Sequence, residues 1–462
     1  MYMMASKMPE NTSAEPEGNL QQLIPEANEL AAKLYSGTSD TAIFRFPRTF
    51  REGNEKYYKP RTMAIGPFHA QATDLNRVQT KMINFFCVMG QIGGEGVMKV
   101  LIAELERLEL SARACYDPDQ VVTKMKSYEF SKIMILDGCS VFLVIVQGSS
   151  KESSVVMPAL GSSHGSVYDL PLDYVKLENQ VPFFILESIY EKYKQANRNA
   201  TSSLSEYALS FLRMTILKEH KLRAPEPGQR INHLLHLAKM ALFPLPRPDS
   251  ASTMATVVSM GPDKPSWSSS SSSLTETRSA SELKAYGVNF QTPKVGNNAY
   301  LQDIRFLENG VLEIPKLVYN EITAPLFLNF LAYEVSYHNM EEHAVISYIW
   351  FMDSLIRDVK DVEVLVQSGV LQARITDAKD IVSLFNSLAG SLFIMPESYH
   401  FEHIHRQLKR YCESGPRPLR AKWVYFYNHG RWDFLNTILL SFFTVTQTLF
   451  SILAYLIPLK NK

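Results

Sequence analysis

Charge of one sign is missing from this chain: its 462 residues carry 47 Lys+Arg against 47 Asp+Glu, a formal net charge of zero. That balance excludes a global field that would recruit nucleic acid or an anionic membrane surface, so no nucleic-acid partner is expected. Cysteine is scarce as well. Cys87, Cys115, Cys139 and Cys412 are the only four, too few for a disulfide scaffold and lacking the C-x-x-C spacing of zinc or thioredoxin-type sites. Reduced thiols in a cytosol-facing protein are the corresponding reading. The first forty residues hold no apolar run long enough for the hydrophobic region of a signal peptide, which argues against cleaved secretion. No repeat of fixed period is found.

What is present is apolar content, 46% of the chain against 20% charged residues, enough to bury a core and to exclude wholesale disorder. It is unevenly spread. From Phe434 to Leu459 there is no charged residue, and a helix of about 20 residues already crosses ~30 Å of hydrocarbon. Asn436, Thr437, Ser441, Thr444, Thr446, Gln447, Thr448 and Ser451 interrupt the run without charge, and Ser and Thr can bond back to helix carbonyls. Trp432 at one edge, Tyr455 near the other and Lys460 and Lys462 beyond fit the aromatic and basic anchors of a membrane-spanning helix better than a buried hairpin. Gln447 in mid-span offers a hydrogen-bonding handle to a second copy, the basis for a homodimer among the partner expectations. The basic flank Lys409, Arg410, Arg417, Arg420, Lys422 and Arg431 favours a cytosolic amino-terminal part on a single-pass, tail-anchored protein of the plasma membrane or an endomembrane. Asn11-Thr12-Ser13 and Asn199-Ala200-Thr201 fit the glycosylation pattern and point the other way, but two such tripeptides are close to chance.

The rest reads as mainly α, with α+β as the alternative: one helical domain interrupted by an insertion. Residues 1–40 are expected to be disordered and 41–243 to form a first block. Residues 244–279, with Pro246, Pro248, Pro262, Pro265 and the run Ser268 to Ser273, read as a disordered linker. Residues 280–410 form a second block, 411–431 a basic juxtamembrane segment and 432–459 the span. Leu101, Leu105, Leu108, Ala112 and Cys115 recur at helical steps, as do Met352, Leu355, Ile356, Val359, Val362 and Val366. Ile133 to Val146 is almost continuously apolar around Asp137, Gly138, Cys139 and Ser140, and periodicity does not separate a buried helix from a strand with a turn.

No constellation reaches the level of a reaction. Gly161-Ser162-Ser163-His164-Gly165 matches G-x-S-x-G formally but sits among Gly and Ser residues, without the strand-turn-helix context of a nucleophile elbow. Gly90 to Gly96 lacks the spacing and the Lys of a phosphate loop and reads as a turn between helices. His400, Glu402, His403 and His405 are the only local group of metal-ligand types, and His400 with His403 would share a helix face, yet Arg406, Lys409 and Arg410 favour a solvated surface helix. Cys139 beside Asp137, with His69 as a remote base, reads more readily as a small core residue than as a nucleophile. No catalytic residue, cofactor or metal is expected.

Several strings together resemble the plant family known as domain of unknown function 247, or uncharacterised protein family 0481. They are Ile43-Phe44-Arg45-Phe46-Pro47, Tyr58 and Pro60, Met63 to His69, Met134 to Cys139, and above all Asp173-Tyr174-Val175-Lys176-Leu177-Glu178-Asn179-Gln180-Val181-Pro182-Phe183-Phe184. Ser279 to Leu283, Gly287 to Phe290, Gly310 to Pro315, Tyr348 to Gly369, Trp432 and Gln447-Thr448 extend the match over about residues 41 to 457. Ala70 and Ser140 depart from the family pattern. Physically, Gly66-Pro67 and Gly310 suit tight turns, Asn179 and Gln180 beside Pro182 can tie a turn before an apolar helix, and Glu178, costly to bury alone, should find a partner such as an Arg or a free amide. The motif residues are thus Gly66, Pro67, His69, Asp137, Gly138, Cys139, Leu177, Glu178, Asn179, Gln180 and Pro182, with Trp432, Gln447 and Tyr455 in the span. The resemblance implies no established catalysis. Some members lie at grass self-incompatibility loci, and the absence of a catalytic constellation together with the apolar anchor favours a recognition or signalling role through a protein partner. A membrane-bound hydrolase or transferase using Cys139, His69 or Ser163 is the alternative, and a structural membrane tether a third.

Overall fold

The computed structural model describes residues 41–456 except 52, 72–76, 150–168, 245–276, 294–298, 338–342, 374–376, 393–398 and 430. The Asn11 tripeptide, the Gly161 to Gly165 string, the serine run, Lys460 and Lys462 therefore lie outside the described residues. In the first block the helices are α1 (Glu55–Tyr58), α2 (Val78–Gln91), α3 (Glu95–Arg107), α4 (Glu109–Ala114), α5 (Gln120–Lys124), α6 (Ser127–Gly148), α7 (Asp169–Asp173), α8 (Phe183–Ala196), α9 (Leu204–Thr215) and α10 (Leu234–Leu242).

The second block opens with α11 (Ala280–Ala285) and a small three-stranded sheet. There β3 (Val311–Glu313) pairs in parallel with β1 (Asn289–Gln291) and antiparallel with β2 (Arg305–Leu307). A second pair joins β4 (Leu317–Tyr319) in parallel to β5 (Leu371–Ala373). The helices α12 (Thr323–Ser336), α13 (Ala344–Leu355), α14 (Val359–Gln367), α15 (Ala378–Gly390), α16 (Glu402–Glu413), α17 (Arg417–His429) and α18 (Arg431–Leu456) complete it. The fold is mainly α, and the described residues from Thr41 onward form one unit.

The run that periodicity left open is the helix α6, continuous through Asp137-Gly138-Cys139-Ser140. Every residue from Asp137 to Ile145 is buried, because α2, α3, α4, α8 and α9 surround it, and a helix enclosed on all sides is apolar on all sides. Gly138 is what lets α8 approach: a Cβ there would stand 3.1 Å from both Ile185 and Ile189 side chains. The glycines after Gln91 do form the turn between α2 and α3, with Gly93 and Gly94 at φ 111° and 91°.

Two helices expected to be continuous are each divided. The Leu101 to Cys115 stripe runs over α3 and α4, parted at Leu108, and Cys115 caps the end of α4. The Met352 to Val366 stripe breaks at Ile356, whose ψ of 85° leaves the helical range, and Asp358 starts α14 through a capping box with Asp361. Asp361 also accepts from Ser279 Oγ (2.7 Å) and Ser281 N (2.8 Å), fastening α11 to α14.

α18 contains the uncharged run. Among the described residues it is the one helix long and apolar enough by itself to cross a membrane: Asn436–Leu453 has a mean hydropathy of 1.4 and none of that window is buried. Its hydroxyls satisfy themselves as expected. Ser441, Thr444, Thr446, Thr448 and Ser451 each donate to the carbonyl four residues earlier, at 2.6–2.9 Å, so that no polar side chain of this set needs water. Trp432 and Tyr455 belong to this helix, but their side chains lie outside the described ones.

Candidate functional site

The motif residues converge on an irregular segment, Arg61 to Gly66, buried from Met63 onward, that has no sheet partner to take its amides. Buried backbone N–H groups must be paired, and here side chains of α6 and of the 173–180 turn do it. The carboxylate of Asp173, fully buried, accepts from Arg61 N (3.0 Å), Thr62 N (2.7 Å), Thr62 Oγ1 (2.7 Å) and Met63 N (3.0 Å). Asn179 Oδ1 accepts from Ile65 N at 2.7 Å while its Nδ2 donates to Met63 O and Asp173 O. Asp137 Oδ2 accepts from Gly66 N at 2.9 Å. Gly66 stands at φ 72° and a Cβ there would meet Gln180 O at 2.5 Å, so both conformation and space demand glycine.

Two buried ammonium groups neutralise these carboxylates: Lys81 of α2 pairs with Asp137, and Lys176 Nζ with Asp173 (2.9 Å) and Lys59 O (2.6 Å). Burial pushes the Asp137 carboxyl up despite Lys81, and the same desolvation pulls Lys176 down. Gln180 donates to Tyr174 O and Lys176 O and accepts from Leu235 N of α10. Leu177 N donates to Asn329 Oδ1 of α12, whose Nδ2 reaches Tyr57 O. The knot therefore binds together segments far apart in sequence, from both blocks.

Glu178, 2% exposed, finds the partners that its burial requires. Oε1 accepts from Phe46 N (2.8 Å) and Arg51 (3.1 Å), and Oε2 faces His69 Nε2 (3.0 Å) and Arg45 (3.4 Å). Burial opposes its charge, but the His69 bond, the Phe46 amide and the Arg45 charge outweigh it and hold the carboxyl below the usual carboxylate range. Arg45 also forks onto Asp119 at 3.1 and 3.2 Å and lies over the Phe68 ring. Arg45 lies in the Ile43 to Pro47 string without a role attached to it, and the sequence does not mark Arg51, Asp119 or Lys81. The Arg45 and Arg51 partners follow from Glu178 once burial is known; nothing in the local spacing marks the other two.

The chemistry once conceivable here is internal. Cys139 is completely buried and its thiol is pushed up to about 12 by desolvation, the opposite of an activated nucleophile. Pro67 and His69 form a short 3-10 turn, and His69 is engaged by Glu178. His400 precedes α16, with its N donating to Ser347 Oγ, so it does not share a helix face with His403, and His405 lies against Tyr399 Oη at 2.6 Å. α16 is not wholly solvated, since Ile404, Leu408 and Cys412 are buried. No group of three or more ligand side chains suited to a metal occurs among the described residues.

Above the knot a cleft of about 600 Å³ opens between the blocks. Its lining alternates Lys56, Arg61 and Lys176 with Asp169, Glu321 and Asp380, and adds Tyr57 and Tyr319. The buried Lys176 is its link to the knot, and Arg61 bridges Asp169 at 3.0 Å on the rim.

The profile of the DUF247 family, plant protein of unknown function, matches residues 43–446. The chain belongs to this family. A curated UPF0481 protein of Arabidopsis thaliana is 26% identical over 439 residues, covering 91% of this chain and 88% of that protein. No solved structure matches. The DUF247 match runs from Ile43, at the edge of the Glu178 cluster, into the middle of α18, so both the knot and most of the apolar helix lie inside the family domain.

Two buried histidines, His233 and His236, and two half-buried ones, His220 and His405, give this DUF247 body an acid limit. Desolvation lowers His233 to about 3 and His405 and His220 to about 4, and His236 is depressed too, again first by burial. The unfolded chain takes up these protons near pH 6.5, the fold only at about 3 to 4, so the unfolded state binds more protons in between. Stability is complete above pH 6.5 and falls below it by about 1.4 kcal/mol per pH unit for each such histidine. Urea unfolding of the detergent-solubilised chain should have a clearly lower midpoint at pH 5 than at pH 7.5; equal midpoints would refute neutral burial.

Proposed function

We propose that this DUF247 protein is a non-catalytic recognition or signalling component, anchored in the plasma membrane or an endomembrane by α18, with its helical body in the cytosol binding a protein partner. The observation that carries this reading is where its chemistry resides. Asp137, Asp173, Lys176, Glu178 and His69 are engaged in holding the chain's own segments, and Cys139 is enclosed, while the exposed features are an apolar helix and a polar cleft. A recognition role of the self-incompatibility type is the specific form that the family resemblance implies.

The cleft is the surface assigned to the partner. Its charges of both signs and two tyrosines match a protein segment carrying both signs rather than a phosphate or a nucleic acid, which would call for cations alone. Loops and helix ends on a rigid scaffold are also where binding residues concentrate.

Proximity labelling from the full chain in plant membranes tests this. The reading expects a reproducible set of neighbours that Lys56→Glu with Asp380→Lys abolishes and Cys139→Ala leaves intact. Lys56 and Asp380 are exposed at the rim, so the charge exchange spares the core. Loss of a function-linked phenotype with Cys139→Ala in a chain that is still folded would instead favour a hydrolase or transferase.

A further inference from the structure

α2 has an outer face without a single charge. Its 14 residues include one ionisable cation, Lys81, and that side chain is 4% exposed and turned inward to Asp137. What faces outward, besides Val78 at the helix start, is Gln79, Ile83, Phe86, Cys87 and Gly90, spaced by three and four residues on one stripe. Ile83 is 61% and Phe86 55% exposed, well beyond the isolated exposed apolar residue that needs no explanation. Together α2 and α3 are apolar enough for a membrane-spanning segment, yet they bend by 114° and pack on α6 and α8. Their apolarity is thus half used inside the fold and half displayed.

The geometry points to this face as the contact between two copies of the chain, α2 against α2 about a twofold axis. A neutral stripe is complementary to itself, which an isologous contact requires, and Gly90 leaves room for a second helix to approach. A bilayer surface is the poorer occupant. Helices that lie on membranes carry Lys and Arg on their polar side, whereas the one cation of α2 is buried. The helices packed on α2 are also not those leading into the span: α17 contacts α11, α16 and α18. The outer face of a 14-residue helix, about 21 Å long and 10 Å wide, is well short of the ~800 Å² per partner of a stable soluble complex. The contact is therefore weak in solution and becomes populated when α18 confines the copies to one membrane and raises their effective concentration. In that respect the inference rests on the anchoring reading above.

Cys87 supplies the probe, since it is the exposed cysteine and the other three are buried. Full-length chain at low density in heterologous membranes is treated with a short bis-maleimide, and its Cys87 reactivity is read separately with a soluble mono-maleimide. The expected result is a covalent dimer that Cys87→Ser eliminates. Ile83→Glu and Phe86→Glu should each reduce it at least tenfold while Cys87 stays reactive and the buried thiols stay silent. Dimer yield unchanged by the glutamates, or no dimer although Cys87 reacts, overturns the inference. So does a Cys87 reached by lipid-soluble but not water-soluble maleimide, the mark of bilayer docking, or cross-linking to another protein. Alkaline extraction of the same membranes reports anchoring independently, so loss of the dimer with the chain still in the pellet counts against this contact and not against the span.

Discussion

Replacing Asp173 by Ala should unfold the body of the protein. One fully buried carboxylate takes three consecutive amides, the Thr62 hydroxyl and the Lys176 ammonium. Without it, each stranded neutral donor costs about 1–3 kcal/mol and an uncompensated buried ammonium about 3–5 kcal/mol. Even with partial relaxation, the expected loss is ~5 kcal/mol or more, comparable to the whole stability of an ordinary domain at about 5–15 kcal/mol. Asp173→Asn retains one acceptor oxygen and loses the charge, so it should fall between. Urea titration of the full chain in detergent, read by tryptophan fluorescence, decides the matter. A wild-type midpoint for Asp173→Ala would mean that the knot does not brace the fold.

The second large effect concerns α18. Leu440→Arg combined with Val445→Arg places two charges in the middle of the span. Each costs about 2.5–3.5 kcal/mol at the centre of an inserted helix. Both side chains are exposed in the structure, at 72% and 59%, so the body has no stake in them. The doubly substituted chain should move from the membrane fraction to the soluble or aggregated fraction with its buried thiols still protected, while Gln447→Leu should remain in the membrane. Retention of the double-arginine chain in the membrane would show that α18 is not what holds it there.

Much of the frame was legible because it follows from burial and period. The uncharged run, its self-satisfying hydroxyls and the need of Glu178 for an Arg or amide partner are local consequences of chemistry. The division at Ile356 was harder to see, because apolar steps continue on both sides of it and only the Asp358-x-x-Asp361 capping pattern betrays a new start. The helix α6 could not be told from a strand, since an element enclosed on every side loses the polar face that reveals its period. Least legible was the receiving partner of the motif. Asp173, Asn179 and Asp137 serve the amides of Arg61 to Gly66, more than 70 residues away from each of them, and no local pattern announces a buried segment without a sheet. Sequence distance also hid the outward stripe of α2, because Lys81 reads as an exposed charge until Asp137, in another helix, is seen to claim it.

The central claim is that α18 crosses a membrane and leaves a folded body on one face. Protease protection of sealed membranes containing the full chain, carried out after alkaline washing, tests it most directly. The account predicts that the chain stays in the washed pellet and that protease added on the cytosolic side removes the body up to Arg431, leaving a short fragment containing α18. Release of the intact chain by the alkaline wash would contradict the span, and full protection of the body from the cytosolic side would contradict its placement.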